Sequence, residues 1–275
     1  ELSYKIMYED DKWTKELKID RNVLDFAINI DEKNQIFIIY STKDSSLKYC
    51  IYDSNKWMGK ILYQFDNQKY QIRDINTHII DKKMHIFFTV QNIEKNKKFF
   101  LMYFCLNSKK ILSSMIYDLL PIEGMDSYYQ TEIQEDGTLS LIYAAYEENK
   151  VRIKYTACEN SKWIKPQILY GITGTDINFS TIMHDNKIYI LNFSKEDSVY
   201  SIESAIIEDG KNIKNDIIYK TPDKPDSCIL LEKENLLYAI SLFNNKILVS
   251  LYKNDNWNKI SEYNIENKDA ESVYR

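Results

Sequence analysis

One six-residue frame recurs along the chain, and its recurrence narrows the possible folds more than any other feature. Tyr8-Glu9-Asp10-Asp11-Lys12-Trp13 resembles Tyr52-Asp53-Ser54-Asn55-Lys56-Trp57, and the frame returns as Cys158-Glu159-Asn160-Ser161-Lys162-Trp163 and Tyr252-Lys253-Asn254-Asp255-Asn256-Trp257. Two degenerate copies fill the gaps, Cys105-Leu106-Asn107-Ser108-Lys109-Lys110 and Ile207-Glu208-Asp209-Gly210-Lys211-Asn212. Anchors at 13, 57, 110, 163, 212 and 257 give steps of 44, 53, 53, 49 and 45. A near-constant step of this size marks a stack of supersecondary units.

Each frame carries hairpin chemistry. An apolar strand such as Leu47-Lys48-Tyr49-Cys50-Ile51-Tyr52 leads in, and a polar Asp/Asn/Ser turn follows, where side chains satisfy the backbone and tolerate left-handed angles. A second strand leads out, as in Ile61-Leu62-Tyr63 or Ile168-Leu169-Tyr170. Between these hairpins lies another, whose later strand reads Ile36-Phe37-Ile38-Ile39-Tyr40, Met84-His85-Ile86-Phe87-Phe88, Leu139-Ser140-Leu141-Ile142-Tyr143, Ile188-Tyr189-Ile190-Leu191 and Leu237-Tyr238-Ala239-Ile240. None of these segments keeps helical spacing over the ten or more residues a helix needs.

Four short strands per unit of about 50 residues predict an all-β chain, a β-propeller of four-stranded antiparallel blades in a single domain, 1–275. Complete units are expected at about 23–63, 73–117, 128–170, 178–219 and 226–263. Residues 3–19 supply only a third-plus-fourth hairpin, and 270–275 fall where another first strand begins. Six blades are therefore expected, with 1–19 and 268–275 closing the ring and leaving no open edge. Five blades plus an accessory hairpin is the alternative.

Composition bounds the rest. The 275 residues include 22 Tyr but only 6 Gly and 4 Pro, against about 19 Gly and 14 Pro at average usage. With 44% hydrophobic residues the chain is neither linker-like nor disordered. The charge of −5, from 36 Lys+Arg and 41 Asp+Glu, offers no basic field for nucleic acid. The longest apolar run, Phe99 to Leu106, falls well short of the roughly 20 residues of a membrane-spanning helix. Glu1 at the start, with no leader ahead of it, reads as a processed product or an excised domain. The richness in Ile, Lys, Asn and Tyr suits a low-GC bacterium.

Ile36-Phe37-Ile38-Ile39-Tyr40 followed by Leu47-Lys48-Tyr49-Cys50-Ile51-Tyr52-Asp53 and Trp57 resembles the strand pair of the fungal-type fucose lectin propellers. The resemblance implies the fold. That family's sugar sites use an Arg early in the first of these strands and a Glu early in the next. Phe37 and Tyr49 stand in those slots, so the resemblance does not bring the sugar chemistry with it. The Gly-His and Trp-Asp pairs of WD repeats, the kelch double glycine and the sialidase Asp-box are absent.

Candidate functional residues cluster in the loops entering the innermost strands. Gly124-Met125-Asp126-Ser127-Tyr128-Tyr129 aligns with Gly174-Thr175-Asp176-Ile177-Asn178-Phe179, and Asp20, Asp74, Asp223 and Asp226 occupy corresponding places. A rim of Asp74, Asp126, Asp176 and Asp226, with Tyr128, Tyr129 and Phe179, is the expected ligand-binding surface; His78, on an innermost strand, joins it. The plain alternative is that Asp starts turns and Gly supplies positive φ. His85 reads as a strand residue, and His184 as solvent-facing beside the turn Asp185-Asn186. Scattered histidines without a His-x-x-x-His pair give no metal site, and no cofactor motif appears. The four cysteines, Cys50, Cys105, Cys158 and Cys228, lie in different repeats, too far apart to bridge. Unpaired thiols lean toward an intracellular location. Trp13, Trp57, Trp163 and Trp257 keep a fixed phase, as packing between sheets requires.

The expected function is a non-catalytic binding module presenting one loop face to a protein or small ligand, with no nucleic-acid partner and no membrane span. The alternatives are a channel-sited carbohydrate hydrolase or lyase, with Glu132, Asp74 and His78 as its first candidates, and a carbohydrate-binding lectin.

Overall fold

Short polar turns between apolar strands set the architecture. The computed structural model describes residues 1–7, 12–53, 56–93, 99–107, 110–119, 125, 127–159, 162–258 and 260–264. Among them every regular element is a strand. Many turns are two-residue reversals with both residues at positive φ: Asp81-Lys82, Glu148-Asn149, Asp185-Asn186, Glu234-Asn235 and Asn254-Asp255. That is the type I′ geometry whose twist matches antiparallel strands. Here Asn, Asp, Glu and Lys adopt it, which is how a chain with 6 Gly turns so often.

The chain forms two compact units, Glu1–Pro121 and Ile122–Arg275. In the first, β1 (Leu2–Tyr4) and β2 (Leu17–Asp20) make an antiparallel pair. Two four-stranded antiparallel sheets follow. The first orders β3 (Val23–Ile30), β4 (Ile36–Thr42), β5 (Ser46–Asp53) and β6 (Lys56–Gln64). The second orders β7 (Tyr70–Ile80), β8 (Lys83–Asn92), β9 (Phe99–Asn107) and β10 (Lys110–Leu119).

The second unit holds three sheets. β11 (Tyr129–Ile133), β12 (Leu139–Glu147) and β13 (Lys150–Glu159) are closed by a broken fourth strand, β14 (Lys162–Trp163) and β15 (Gln167–Ile172), both paired with β13. β16 (Thr175–His184), β17 (Lys187–Glu196), β18 (Val199–Glu208) and β19 (Lys211–Thr221) form the next sheet. The last contains β20 (Ser227–Lys233), β21 (Leu236–Phe243) and β22 (Lys246–Lys253), with β23 (Asn256–Trp257) and β24 (Ser261–Asn264) again sharing one partner, β22. Consecutive four-stranded antiparallel meanders of this kind are the blades of the β-propeller class that the repeats predict.

Within each unit the sheets pack face to face. Ile38 of β4 packs toward Leu2, Tyr40 and Cys50, while its neighbour Ile39 packs with Leu47, Ile72, Ile86 and Phe88. Successive side chains of a strand point to opposite faces, so both faces of the first sheet bury apolar groups. In the second unit Leu191, Phe193, Tyr200, Ile202, Cys228 and Leu230 fill the space between the fourth and fifth sheets. First strands of neighbouring sheets run side by side, and polar bonds pin them. The Asp25 carboxylate accepts from the Ile75 amide at 3.0 Å, and the Asn29 amide donates to the Thr77 carbonyl at 3.0 Å.

The N-terminal pair has the pairing of an outer blade hairpin. Met7 bridges Trp13 as Tyr52 pairs Trp57, Cys158 pairs Trp163 and Tyr252 pairs Trp257. The Thr14 amide donates to the Ile6 carbonyl at 2.9 Å, the bond that Ile164 makes to Ala157 and Asn258 to Leu251. Residues 268–275, expected to share this blade, lie outside the described residues. Trp57 packs on Tyr4 and Tyr52, and Trp257 on Tyr252 with its indole N–H on Ser204 Oγ at 2.7 Å. Both therefore join adjacent sheets, whereas Trp13 is exposed.

Candidate ligand-binding pocket

The sequence-selected residues fall in both units. Asp74 lies in a bulge of β7 with φ 55°, and Asp176 in the equivalent bulge of β16 with φ 52°. The two bulges share the local sequence Asp-Ile-Asn, and in each an acidic residue takes the left-handed conformation. The Asp176 carboxylate accepts from Lys224 Nζ at 3.0 Å and from the Tyr200 hydroxyl at 2.8 Å; Lys224 and then Tyr200 hold its pKa below the usual value. Asp20 is engaged in the same way by Lys48 at 3.0 Å and Tyr40 at 3.1 Å. Asp226 is exposed, and its backbone N–H reaches the Leu242 carbonyl. Tyr128, Tyr129 and Phe179 are buried, so their rings serve packing. Asp126 lies outside the described residues.

His78 is half-buried on β7, and burial lowers its pKa. His85 is buried, with Nδ1 2.8 Å from the Tyr103 hydroxyl; burial, then the charge of His78, lowers its pKa to about 4. His184 is not solvent-facing. It is buried between sheets, its Nδ1 3.2 Å from Glu232 and its ring against Tyr189, because the strand carries it inward one residue before the turn begins. Glu132, on β11, accepts from the Thr181 hydroxyl and the Met183 amide, and burial raises its pKa. It links two first strands and is already satisfied. No group of three or more His, Cys, Asp or Glu arranged for a metal occurs among the described residues.

Two clefts between neighbouring sheets are lined by described residues. The first unit has a cleft of about 480 Å³ whose lining includes Phe37, Tyr49, Ile51, Ile79, Met84 and Leu106, under a rim with Asp31, Asp81 and Lys82. Phe37 and Tyr49, the two slots singled out by the lectin resemblance, thus come together, but with apolar chemistry.

The second unit has a smaller, polar pocket of about 170 Å³ between the third and fourth sheets, bordered by Tyr170, Asn192, Glu203, Ser204, Asn215 and Asp216. Asn192 on β17 and Glu203 on β18 are direct cross-strand partners and share one face. The Tyr170 hydroxyl donates to Asn192 Oδ1 at 3.2 Å. Burial, reinforced by the Glu203 charge, pushes the Tyr170 phenol up, so it stays protonated as that donor. The contact turns the Asn192 amide so that Nδ2 is left over. Asn192 is 1% exposed, and its Nδ2 has no partner among the described residues. Glu203 accepts no hydrogen bond from a described residue, whereas Asp216 is paired with Lys214 at 2.9 Å. A buried donor and a carboxylate, both unspent and side by side, are costly to fold and suited to a ligand that supplies an acceptor and a donor together. A hydroxyl does both.

Sequence reading passed over this pair by one residue. The apolar run of β17 is legible as Ile188 to Leu191, and Asn192 follows inside the same strand, ahead of buried Phe193. A polar residue interrupting a strand buried on both faces was the available signal.

No protein-family model matches the chain, and no curated protein matches it. Solved structures do. A mutant of AofleA from Arthrobotrys oligospora is 13% identical, with a TM-score of 0.46, over 89% of this chain and 72% of that one. The Aleuria aurantia lectin AAL, in complex with Fucalpha1-6GlcNAc, is 10% identical, with a TM-score of 0.47, over 90% and 79%. The endo-arabinase of Bacteroides thetaiotaomicron is 14% identical, with a TM-score of 0.41, over 89% and 94%.

Proposed function

We propose that the chain is a binding propeller that takes a small hydroxylated ligand, a sugar residue or similar polyol, in the Tyr170–Asn192–Glu203 pocket. The supporting observation is the unpartnered Asn192 Nδ2 beside the Glu203 carboxylate. One ligand hydroxyl accepts from Nδ2 and donates to the carboxylate, and the Tyr170 phenol holds the amide in the receiving orientation. A cavity of about 170 Å³ admits part of one sugar ring, so binding is selective for a terminal residue and weak as a single site.

A glycan array, followed by calorimetry on the best ligand, tests the reading. Glu203→Gln and Asn192→Leu are expected to weaken binding tenfold or more. Asn192→Leu removes the unmet Nδ2 donor but also the acceptor of the Tyr170 hydroxyl, so a stability gain of about 1 kcal/mol is expected only when it is combined with Tyr170→Phe. Chromatography of the glycan after incubation is expected to return it uncleaved. Binding equal to wild type in both variants would sink the assignment, and cleavage would replace the binding module with an enzyme.

A further inference from the structure

One seat recurs in the outer gap between neighbouring sheets. Tyr4, Tyr49 and Ser204 each stand three residues before the first member of an outer-turn pair, Met7, Tyr52 and Ile207. At two of these seats the next sheet delivers a tryptophan. The Trp57 ring lies 5.5 Å from that of Tyr4, and the Trp257 indole N–H donates to Ser204 Oγ at 2.7 Å. A tyrosine accompanies each: Tyr52 lies 5.1 Å from Trp57, and Tyr252 lies 5.1 Å from Trp257 and 5.3 Å from Tyr189 of the fourth sheet. Tilted and edge-on rings of this kind fill the gap between twisted sheets.

Tyr49 packs toward the second sheet, which brings neither ring. Its copy of the repeated frame, Cys105 to Lys110, has no Trp. Leu106, paired with Met84 as Tyr252 is with Leu237, takes the place of the tyrosine. The first sheet keeps its half of the arrangement, with Phe37 paired to Ile51 as Tyr189 is to Ile206. The cleft of about 480 Å³ lies at this point, with Phe37, Tyr49 and Ile51 on one wall and Ile79, Met84 and Leu106 on the other. Its size and its apolar walls are those of a small-molecule site. Lys60 Nζ lies 5.5 Å from the Tyr49 ring centroid, but Lys60 is the cross-strand partner of Tyr49 in its own sheet and adds nothing to the opposite wall.

We propose that this cleft binds a free small aromatic molecule with an indole- or phenol-like ring, in the place that Trp257 and Tyr252 fill between the fourth and fifth sheets. The ring lies between Tyr49 and Leu106, and its polar substituents reach the mouth, where Asp31, Asp81 and Lys82 stand. The site is separate from the Tyr170–Asn192–Glu203 pocket and does not depend on that assignment.

Indole and p-cresol, titrated into the 275-residue chain by calorimetry, are the probes. Both are expected to bind one to one and to raise the melting temperature with concentration, and cyclohexanol to bind at least tenfold more weakly. Leu106→Tyr restores a ring to the gap and is expected to weaken indole binding at least tenfold. Tyr49→Ala, which removes the seat, is expected to do the same and serves should Leu106→Tyr fail to fold. Absence of saturable binding overturns the proposal, as do equal binding of cyclohexanol and equal binding to the folded variants. Tighter binding of N-acetyltryptophan amide than of indole would give the seat to a side chain of another polypeptide and overturn it. So would a dimer by light scattering that indole dissociates, since the ring would then come from a second copy.

Discussion

At the scale of single residues, burial decides which polar groups are structural and which are left over. His85 belongs to the first kind. It fills the slot held by Phe37 in the first sheet, bonded to Tyr103 and with its pKa lowered to about 4. Between the unfolded value of about 6.5 and the native value of about 4, the unfolded chain takes up a proton that the native protein refuses. The His85 contribution is therefore complete above about pH 6.5 and lost as pH falls to about 4. A shift of this size corresponds to about 3 kcal/mol. His85→Phe is expected to flatten this acid limb in urea titrations run across the window, leaving the smaller share of His78, which shifts in the same direction. An unchanged limb would show that His85 is charged in the native state. Asn192 belongs to the second kind, since no described residue uses its Nδ2.

At the scale of elements, the turns and the bulges carry the conformational cost. Gly174 precedes the β16 bulge at φ 114°, and a Cβ there would stand 2.3 Å from the Lys195 carbonyl. Gly174→Ala is expected to cost about 2 kcal/mol or more, from backbone strain and the clash together. Thermal melts beside Gly137→Ala, where a Cβ meets nothing within 4 Å, separate the clash from the positive φ common to both. Three of the outer hairpins were legible in sequence because Trp57, Trp163 and Trp257 mark their turns and pair as the repeated frame implies. The strands between them were legible as apolar runs. What the runs hid is which face each side chain serves. Alternation predicts a face only when one face is wet, and in β8, β12 and β17 seven consecutive residues are buried. The polar break at Asn192, on β17, was lost for that reason. Contacts between sheets, such as Asp176 with Lys224, join residues 48 apart that no local pattern connects.

At the scale of the whole molecule, the composition acquires a cause. Tyrosine is abundant because rings at repeated phases fill the gaps between twisted sheets, as Tyr4, Tyr52, Tyr189 and Tyr252 do. The cysteines serve the same interior. Cys50, Cys105 and Cys228 are buried and no disulfide is formed; burial pushes the Cys50 thiol up to about 12 and that of Cys228 to about 11. Alkylation at pH 8 is expected to be slow in the native protein, beginning at half-buried Cys158, and to reach four adducts per chain in denaturant by mass spectrometry. Rapid native labelling of Cys50 would contradict its burial. The two-sided burial of the second strands has one more consequence, for how the protein tolerates change. A saturation scan of substitutions is expected to lose its period-two rhythm along β8, β12 and β17 and to keep it along β19, where exposed and half-buried residues alternate. Strand order within a sheet would then be readable from tolerance alone, without a structure.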